Sequence, residues 1–357
     1  MSPVKFLVLV AATPVILCAA YIAGFIYQIG APYAAEYGMA DSLVVKREVL
    51  ARAAQSPGPK LMIVGGSSAF FGLDSKILQT ILGIPTFNLA LAAHLPIEYY
   101  TDMIKPSLRS GDLVLLAFEY EYYKNPTPYY PDFTDQVLTW LTEYFHNLSI
   151  GEQIKLMASV PWYRVVGGVL TTVWKDQIEG GERRKILPPD SVRRRIKAIW
   201  NGEIKTVEVV NPYNYAAIGQ QGDHIGMPGP YSGNIGPNLS KPFVATAFPW
   251  NVLEKFAKWC REHHVTVLTV WAPTLIHAVE FDAPPVNAQL AAITSRLAAL
   301  GLPVLGRPEH YQYDRFEFSD TYYHLSQVGR ERHTRRVGFA ILSSEAPLRD
   351  REVVRGH

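Results

Sequence analysis

Apolar and polar positions divide the chain into three regimes. Residues 6–29 carry no charged side chain. At ~1.5 Å per residue these positions outreach a ~30 Å hydrocarbon core. Residues 36–52 then read as a polar, helix-compatible neck, and "QSPGPK" as a turn-rich junction. Beyond it short apolar runs alternate with amphipathic ones. "KLMIVGG" has the pattern of a buried strand, and "DSKILQTILG" that of a helix capped by Asp74 and stopped by Gly83. "PTFNLAL" predicts the next strand, "PIEYYTDMIKPSLRSG" the next helix and "DLVLLAFEY" a third strand. Such alternation predicts a parallel sheet with helices on both faces.

The rhythm stops at residue 122 and resumes near 250. The interval holds "NPTPYYPDF", short helical pieces, the basic runs "ERRK" and "RRRIK", and a loop-like, glycine-rich stretch over 219–238. "WNVLEKFAKWCREHH" then predicts an amphipathic helix, "VTVLTVWAP" a strand, "PVNAQLAAITSRLAALG" a helix ended by Gly301, and "LPVLG" a strand. A last helix is expected over 327–344. The fold expected is α/β, one doubly wound domain formed by 60–121 and 250–346. A long insertion, 122–249, follows its third strand. Residues 1–5 precede an anchor over 6–29, 30–59 form the neck, and 347–357 a tail.

The apolar run is longer than the ~7–15 residues of a signal-peptide core, which favours an uncleaved transmembrane helix. Leu17 before Cys18 is too bulky for lipoprotein cleavage. Lys5 precedes the span and no Lys or Arg follows before Lys46. The positive-inside rule then puts the body outside the cytoplasm. The expected location is the inner (cytoplasmic) membrane, single-pass, with the folded domain on the periplasmic side.

Composition changes this little. Apolar residues make up 48 % and charged residues 18 %, enough for a sizeable core without the profile of a polytopic membrane protein. A net charge of +2 gives no footing for a nucleic-acid partner. Cys18 lies in the span and Cys260 in an expected helix, so no disulfide framework is expected. No cysteine–histidine cluster has zinc spacing; neither metal nor cofactor is expected.

In open parallel sheets functional groups gather at the carboxyl ends of strands. Ser67 and Ser68 stand there after the first strand. A serine hydroxyl needs a base to become a nucleophile. Among ten histidines, His324 in "FSDTYYHLSQVGRERHT" has Asp320 four residues ahead, a carboxylate able to hold the second ring nitrogen. His94, just after the second strand, is another candidate base without such a partner.

"GGSS" at the first strand end, with "DTYYHLSQVG" near the C-terminus, resembles the SGNH (GDSL-like) hydrolase superfamily. Within it the chain is similar to membrane-anchored extracytoplasmic members, such as the D-alanyl transfer protein of teichoic acids and the alginate acetylation proteins. The resemblance covers about 60–336 apart from the insertion. It implies a three-layer α/β/α sandwich on a flavodoxin-like parallel sheet. It also implies Ser68 as nucleophile, as the third position of Gly66–Ser67–Ser68, with Asp320 and His324 completing a triad. The second block of the family has an asparagine and glycines; here Asn88 is kept, while Ala90 and Ala93 replace glycines. A backbone N–H can still donate from Ala93. The third block's asparagine is absent, because the third strand ends "AFEYEYY". Ser67, Asn88, Ala93, Glu119 and Tyr120 are the remaining candidates for oxyanion or substrate contacts; for Asn88, Glu119 and Tyr120 a structural role stays open.

The function implied is O-acyl transfer, O-acetyl foremost, onto an extracytoplasmic polysaccharide or wall polymer through a Ser68 acyl-enzyme. The resemblance also implies a polytopic membrane O-acyltransferase as the acyl-supplying partner. An esterase with the same triad, or a non-catalytic scaffold of a polysaccharide-modifying complex, are the alternatives. In the insertion, the tyrosines of "EYEYYKNPTPYY" could stack on sugar rings or pack on the core. The two basic runs could meet anionic polymer or lipid headgroups, or form solvated faces.

Overall fold

The computed structural model describes residues 2–30, 38–177, 189–204, 213–225, 227, 229, 244–276 and 283–344. Helix α1 (Pro3–Tyr27) is followed by α2 (Gly38–Gln55), β1 (Leu61–Gly65), a short α3 (Ser67–Gly72), α4 (Ser75–Leu82), β2 (Thr86–Asn88), α5 (Ile97–Ile104) and β3 (Leu113–Ala117). Five helices succeed one another: α6 (Pro131–Thr139), α7 (Thr142–Asn147), α8 (Ile150–Ser159), α9 (Trp162–Gln177) and α10 (Pro189–Trp200). Then come α11 (Ala247–Glu262), β4 (Thr266–Val270), β5 (Thr274–Leu275), α12 (Pro284–Ala299), β6 (Val304–Leu305), β7 (Gln312–Tyr313) and α13 (Gln327–Ser343).

Local signals account for many of these boundaries. Asp74 Oδ1 accepts from the N–H groups of Lys76 and Ile77, at 3.0 and 3.1 Å, and starts α4. Gly83 ends it at φ 68°, a left-handed conformation that costs glycine nothing. Helix α1 is long and apolar enough to cross a membrane, with a mean hydropathy of 2.4.

The chain forms two compact units, Met1–Ala40 with Tyr129–Leu187, and Asp41–Pro128 with Pro188–His357. The second unit is α/β, built on a five-stranded parallel sheet in the order β2-β1-β3-β4-β6. Every residue of β1 and β3 is buried, as their unbroken apolar runs require. Gly65 pairs with Ala117, and a Cβ there would lie 2.1 Å from the Ala117 carbonyl oxygen, so the register needs glycine. At the other end Lys60 Nζ meets Asp112 Oδ2 at 2.5 Å, both side chains fully enclosed. Helix α4 packs on α13, and α5 on α11. A small parallel sheet of β5 and β7, too short for any sequence period, was not expected.

Two expectations about organisation change. The stretch read as a neck is α2, whose Leu43, Val45, Val49 and Ala53 are buried and whose Lys46 is fully enclosed. A buried lysine makes an inward face look polar in sequence. The insertion is not one body either, since residues 129–187 cluster with the N-terminal unit and those from 188 onward with the sheet. In the first unit the Tyr21 hydroxyl lies 2.6 Å from Met157 O and 2.7 Å from Val160 O, tying α1 to the end of α8. Arg164 on α9 donates to Asp135 Oδ1 at 2.5 Å and Gln28 Oε1 at 2.7 Å. The expected "ERRK" run and the C-terminal tail lie outside the described residues.

Candidate functional site

Strand β1 has β2 on one side and β3 on the other, so the chain's direction of winding reverses at β1. A crevice outside the carboxyl end of such a strand is the usual ligand position in open α/β sheets. That end leads through Gly66 into α3, which starts at Ser67. A Cβ on Gly66 would lie 2.3 Å from Glu119 Oε2, so only glycine lets the Glu119 carboxyl sit against the turn.

Glu119 is 2 % exposed, and its Oε1 accepts from Ser68 N–H at 2.7 Å. Burial pushes its carboxyl up to about 7, against the lowering effect of the Ser68 N–H and hydroxyl. Ser68 is fully enclosed; its Oγ lies beside that carboxyl without a well-formed hydrogen bond. The hydrogen bond expected between Ser68 and His324 is therefore not made. Ser67, one residue earlier, is partly exposed.

The other half of the site comes from the loop before α13. His324 Nδ1 lies 2.8 Å from Asp320 Oδ1. The Tyr213 hydroxyl donates to Asp320 Oδ2 and lies 3.3 Å from His324 Nδ1. The loop is held locally: Ser319 N–H donates to His324 O at 2.8 Å, and His324 N–H to Thr321 Oγ1 at 3.1 Å. Burial alone would raise the Asp320 carboxyl, but the hydrogen bond and charge of His324, with the Tyr213 hydroxyl, hold it below the usual carboxylate range. No hydrogen bond among the described residues uses His324 Nε2.

The two halves meet at Phe71. Its ring centroid is 4.4 Å from that of His324 and 5.5 Å from that of Tyr213. Phe71 is one helical turn beyond Ser67 on α3, so the two share a face. Ser67 thus lies on the side of α3 whose Phe71 packs against His324, while Ser68 is held by Glu119.

The remaining candidates serve the framework. Asn88 is fully buried; its Nδ2 donates to Ala69 O at 3.0 Å and its Oδ1 accepts from Ala90 N–H at 3.0 Å. It binds α3 to the end of β2 and offers nothing to a ligand. Ala93 is half-buried in the turn after β2, a turn that Tyr100 and Tyr122 brace through Ala92. Tyr120 is buried and stacked on Trp271 with centroids 5.5 Å apart. Tyr122 and Tyr123 are buried as well, the latter against Trp250. These three rings are packing, not sugar platforms. Arg193 and Lys197 of the second basic run lie 3.0 and 2.9 Å from Glu48, which occupies charge that an anionic partner would need. His94 is half-buried, and its Nδ1 has no hydrogen-bond partner. No metal-binding cluster occurs among the described residues.

Sequence reasoning missed Tyr213, which sits 107 positions from Asp320 in the irregular part of the insertion. No local signal distinguishes it from the other tyrosines. The chain matches no protein-family model, and comparison with curated proteins gives no match.

Proposed function

We propose that this chain is a membrane-anchored serine acyltransferase of SGNH type, acting outside the cytoplasm on the hydroxyls of a polysaccharide or wall polymer. The observation that carries the reading is the Tyr213–Asp320–His324 chain of hydrogen bonds, set against the α3 face that bears Ser67. The strand order, second-first-third-fourth-fifth within the sheet, is that of flavodoxin-like doubly wound folds and supports a three-layer sandwich. Helix α1 supports an anchored protein, and Lys5 ahead of it supports a periplasmic body.

Under this reading the nucleophile is Ser67 rather than Ser68. Setting the motif on Gly65–Gly66–Ser67 again puts a serine third, and that serine is partly exposed and one helical turn before Phe71, which packs on His324. Ser67 Oγ attacks the acyl carbonyl while His324 Nε2 takes its proton. Asp320 holds the Nδ1–H tautomer and stabilises the imidazolium, and Tyr213 fixes the second carboxylate oxygen. The leaving group of the donor takes the proton from Nε2. A sugar hydroxyl then gives its proton to His324 Nε2 and attacks the Ser67 ester, and Nε2 passes that proton to the departing Ser67 Oγ, which restores the serine and the neutral imidazole.

A serine-directed fluorophosphonate tests the assignment. Ser67→Ala and His324→Ala should lose covalent labelling, and their double variant should be no worse, because groups acting as one unit are not additive. Ser68→Ala should fold and label, since it removes a buried hydroxyl that has no well-formed hydrogen bond. Labelling that survives Ser67→Ala and vanishes in Ser68→Ala would return the nucleophile to Ser68; survival in both would end the covalent mechanism. A cell carrying Ser67→Ala should make under-acylated polymer; over-acylated polymer would identify an esterase instead.

A further inference from the structure

Helix α9 is built inside out. Its inward side carries its polar contacts: Arg164, 7 % exposed, reaches Asp135 and Gln28, and Thr172, 1 % exposed, donates to Gly168 O at 2.7 Å. Gly168 packs so close to Gln28 that a Cβ would strike its side-chain oxygen. These residues recur at the i, i+4, i+8 spacing of one helix face. The outward stripe is aliphatic and aromatic and carries no charge: Trp162, Tyr163, Val166, Leu170, Val173 and Trp174 are 41–70 % exposed. In water that polarity is upside down, for an apolar stripe turns to the core and charge turns to solvent.

The surroundings say which solvent would set it right. Helix α9 packs on α1 where Gly24 comes within 3.2 Å of Val165 and 3.3 Å of Val169, measured from a Cβ built on the glycine. The contact lies in the last two turns of the apolar helix, so α9 continues a surface long and apolar enough for a membrane. Between α1, α8 and α9 runs a groove of about 920 Å³, lined by Leu17, Ile22, Ile154, Val166 and Leu170 among others. Sites for polar small molecules carry a few convergent polar groups. Here the Tyr21 hydroxyl is engaged by Met157 and Val160 carbonyls. Trp162 and Trp174 near the two ends of α9 suit the headgroup boundary, where indoles gather.

We propose that α9 lies in the outer leaflet beside α1, and that phospholipid acyl chains fill the groove and cover the outward stripe. The idea rests on α1 crossing the membrane and is independent of any acyl-transfer chemistry. Burying Val166, Leu170 and Val173 in lipid adds no polar side chain to hydrocarbon, and Arg164 and Thr172 keep their bonds within the unit. The polar tips of Trp162, Tyr163 and Trp174 fall near the ends of α9, where the headgroup boundary can receive them.

Spin labels on the full chain, reconstituted in phosphatidylcholine–phosphatidylglycerol vesicles, test it. In a Cys18→Ala background, nitroxides go on Val166→Cys, Leu170→Cys and Val173→Cys. Leu9→Cys on α1 serves as the lipid reference and Glu262→Cys on α11 as the aqueous one. Accessibility is read to oxygen, which concentrates in acyl chains, and to a water-soluble nickel chelate. All three α9 sites should match Leu9, with the oxygen-to-nickel ratio reversed from Glu262. Nickel access at α9 with oxygen access kept at Leu9 would overturn the proposal and leave the anchor standing. Low access to both reagents would mean a protein covers the stripe, a second copy or another membrane protein, and would also overturn it. Nickel access at Leu9 would remove the anchor itself. If one variant does not fold, the other two report the same face.

Discussion

Replacing Glu119 with glutamine separates two effects that oppose each other at the start of α3. A carboxylate accepting an N–H at a helix start favours ionisation, whereas full burial disfavours it. Burial wins here, and the carboxyl is pushed from 4.5 up to about 7. That difference corresponds to roughly 3 kcal/mol between the two protonation states. A raised acid means that the folded protein keeps a proton which the unfolded chain releases. Stability therefore falls as pH rises from about 4.5 to about 7, and is level above. Glu119→Gln never ionises and its carbonyl oxygen can still accept from Ser68 N–H, while its amide takes the place of an Oε2 that makes no hydrogen bond. Below pH ~4.5 both proteins hold a neutral group there, so the difference in their stability should be small and constant. Above pH ~7 the variant should gain roughly 3 kcal/mol on the wild type. Denaturant unfolding of the sheet-bearing unit in detergent-solubilised full chain, repeated from pH 4.5 to 8.5, measures this directly. Parallel curves for the two proteins would refute the reasoning, and would mean that the N–H at the α3 start outweighs burial.

Two further expectations concern other parts of the molecule. Tyr213→Phe removes the donor on Asp320 Oδ2 while leaving the 2.8 Å contact with His324; fluorophosphonate labelling should slow by roughly five-fold, about 1 kcal/mol. A loss as deep as that of His324→Ala would make Tyr213 part of the proton path, and no loss would dismiss it as an organiser of Asp320. Lys60→Met strands the Asp112 carboxylate in a fully buried position, although Lys60 and Arg109 N–H groups still donate to it. The cost should be about 3–5 kcal/mol by denaturant midpoint, and Lys60→Met with Asp112→Leu should recover only part of it, because the residue-60 and Arg109 N–H groups then lose their acceptor; a loss under 1 kcal/mol in Lys60→Met would show the pair to be dispensable.

How much of this was legible in the sequence depended on range. Caps such as Asp74 and Gly83 act over three or four residues, and α4 falls where they put it. The buried strands β1 and β3 were equally plain, because nothing but a two-sided core accommodates "LMIV" and "LVLL". The choice between Ser67 and Ser68 was not plain. It turns on α3 starting directly at the strand end, since a helix rotates successive side chains by 100° where a loop fixes no direction. Glu119 lies 51 positions from Ser68, so its hold on the turn leaves no local trace. Lys46 misled in another way. Its Nζ donates to Asn88 O and Gly222 O, at 3.0 and 2.6 Å, and lies 4.1 Å from the Phe70 ring centroid. A lysine satisfied by carbonyls can be core, and a helix carrying one inward reads as solvated.

Helix α9 carries that lesson furthest. A periodic stripe tells which residues share a face, but not what medium the face meets. In a water-soluble reading, Trp162, Val166, Leu170 and Trp174 would turn to a core and Arg164 to solvent. The structure does the reverse, because Asp135 and Gln28 stand ready to receive the guanidinium inside the unit. The Asp135 carboxylate and the Gln28 amide oxygen receive it at 2.5 and 2.7 Å, where a buried guanidinium would otherwise stand uncompensated. On the lipid proposal, residues 129–187 cluster with α1 rather than with the sheet after which they are inserted because their apolar surface and that of α1 would be covered by the same solvent.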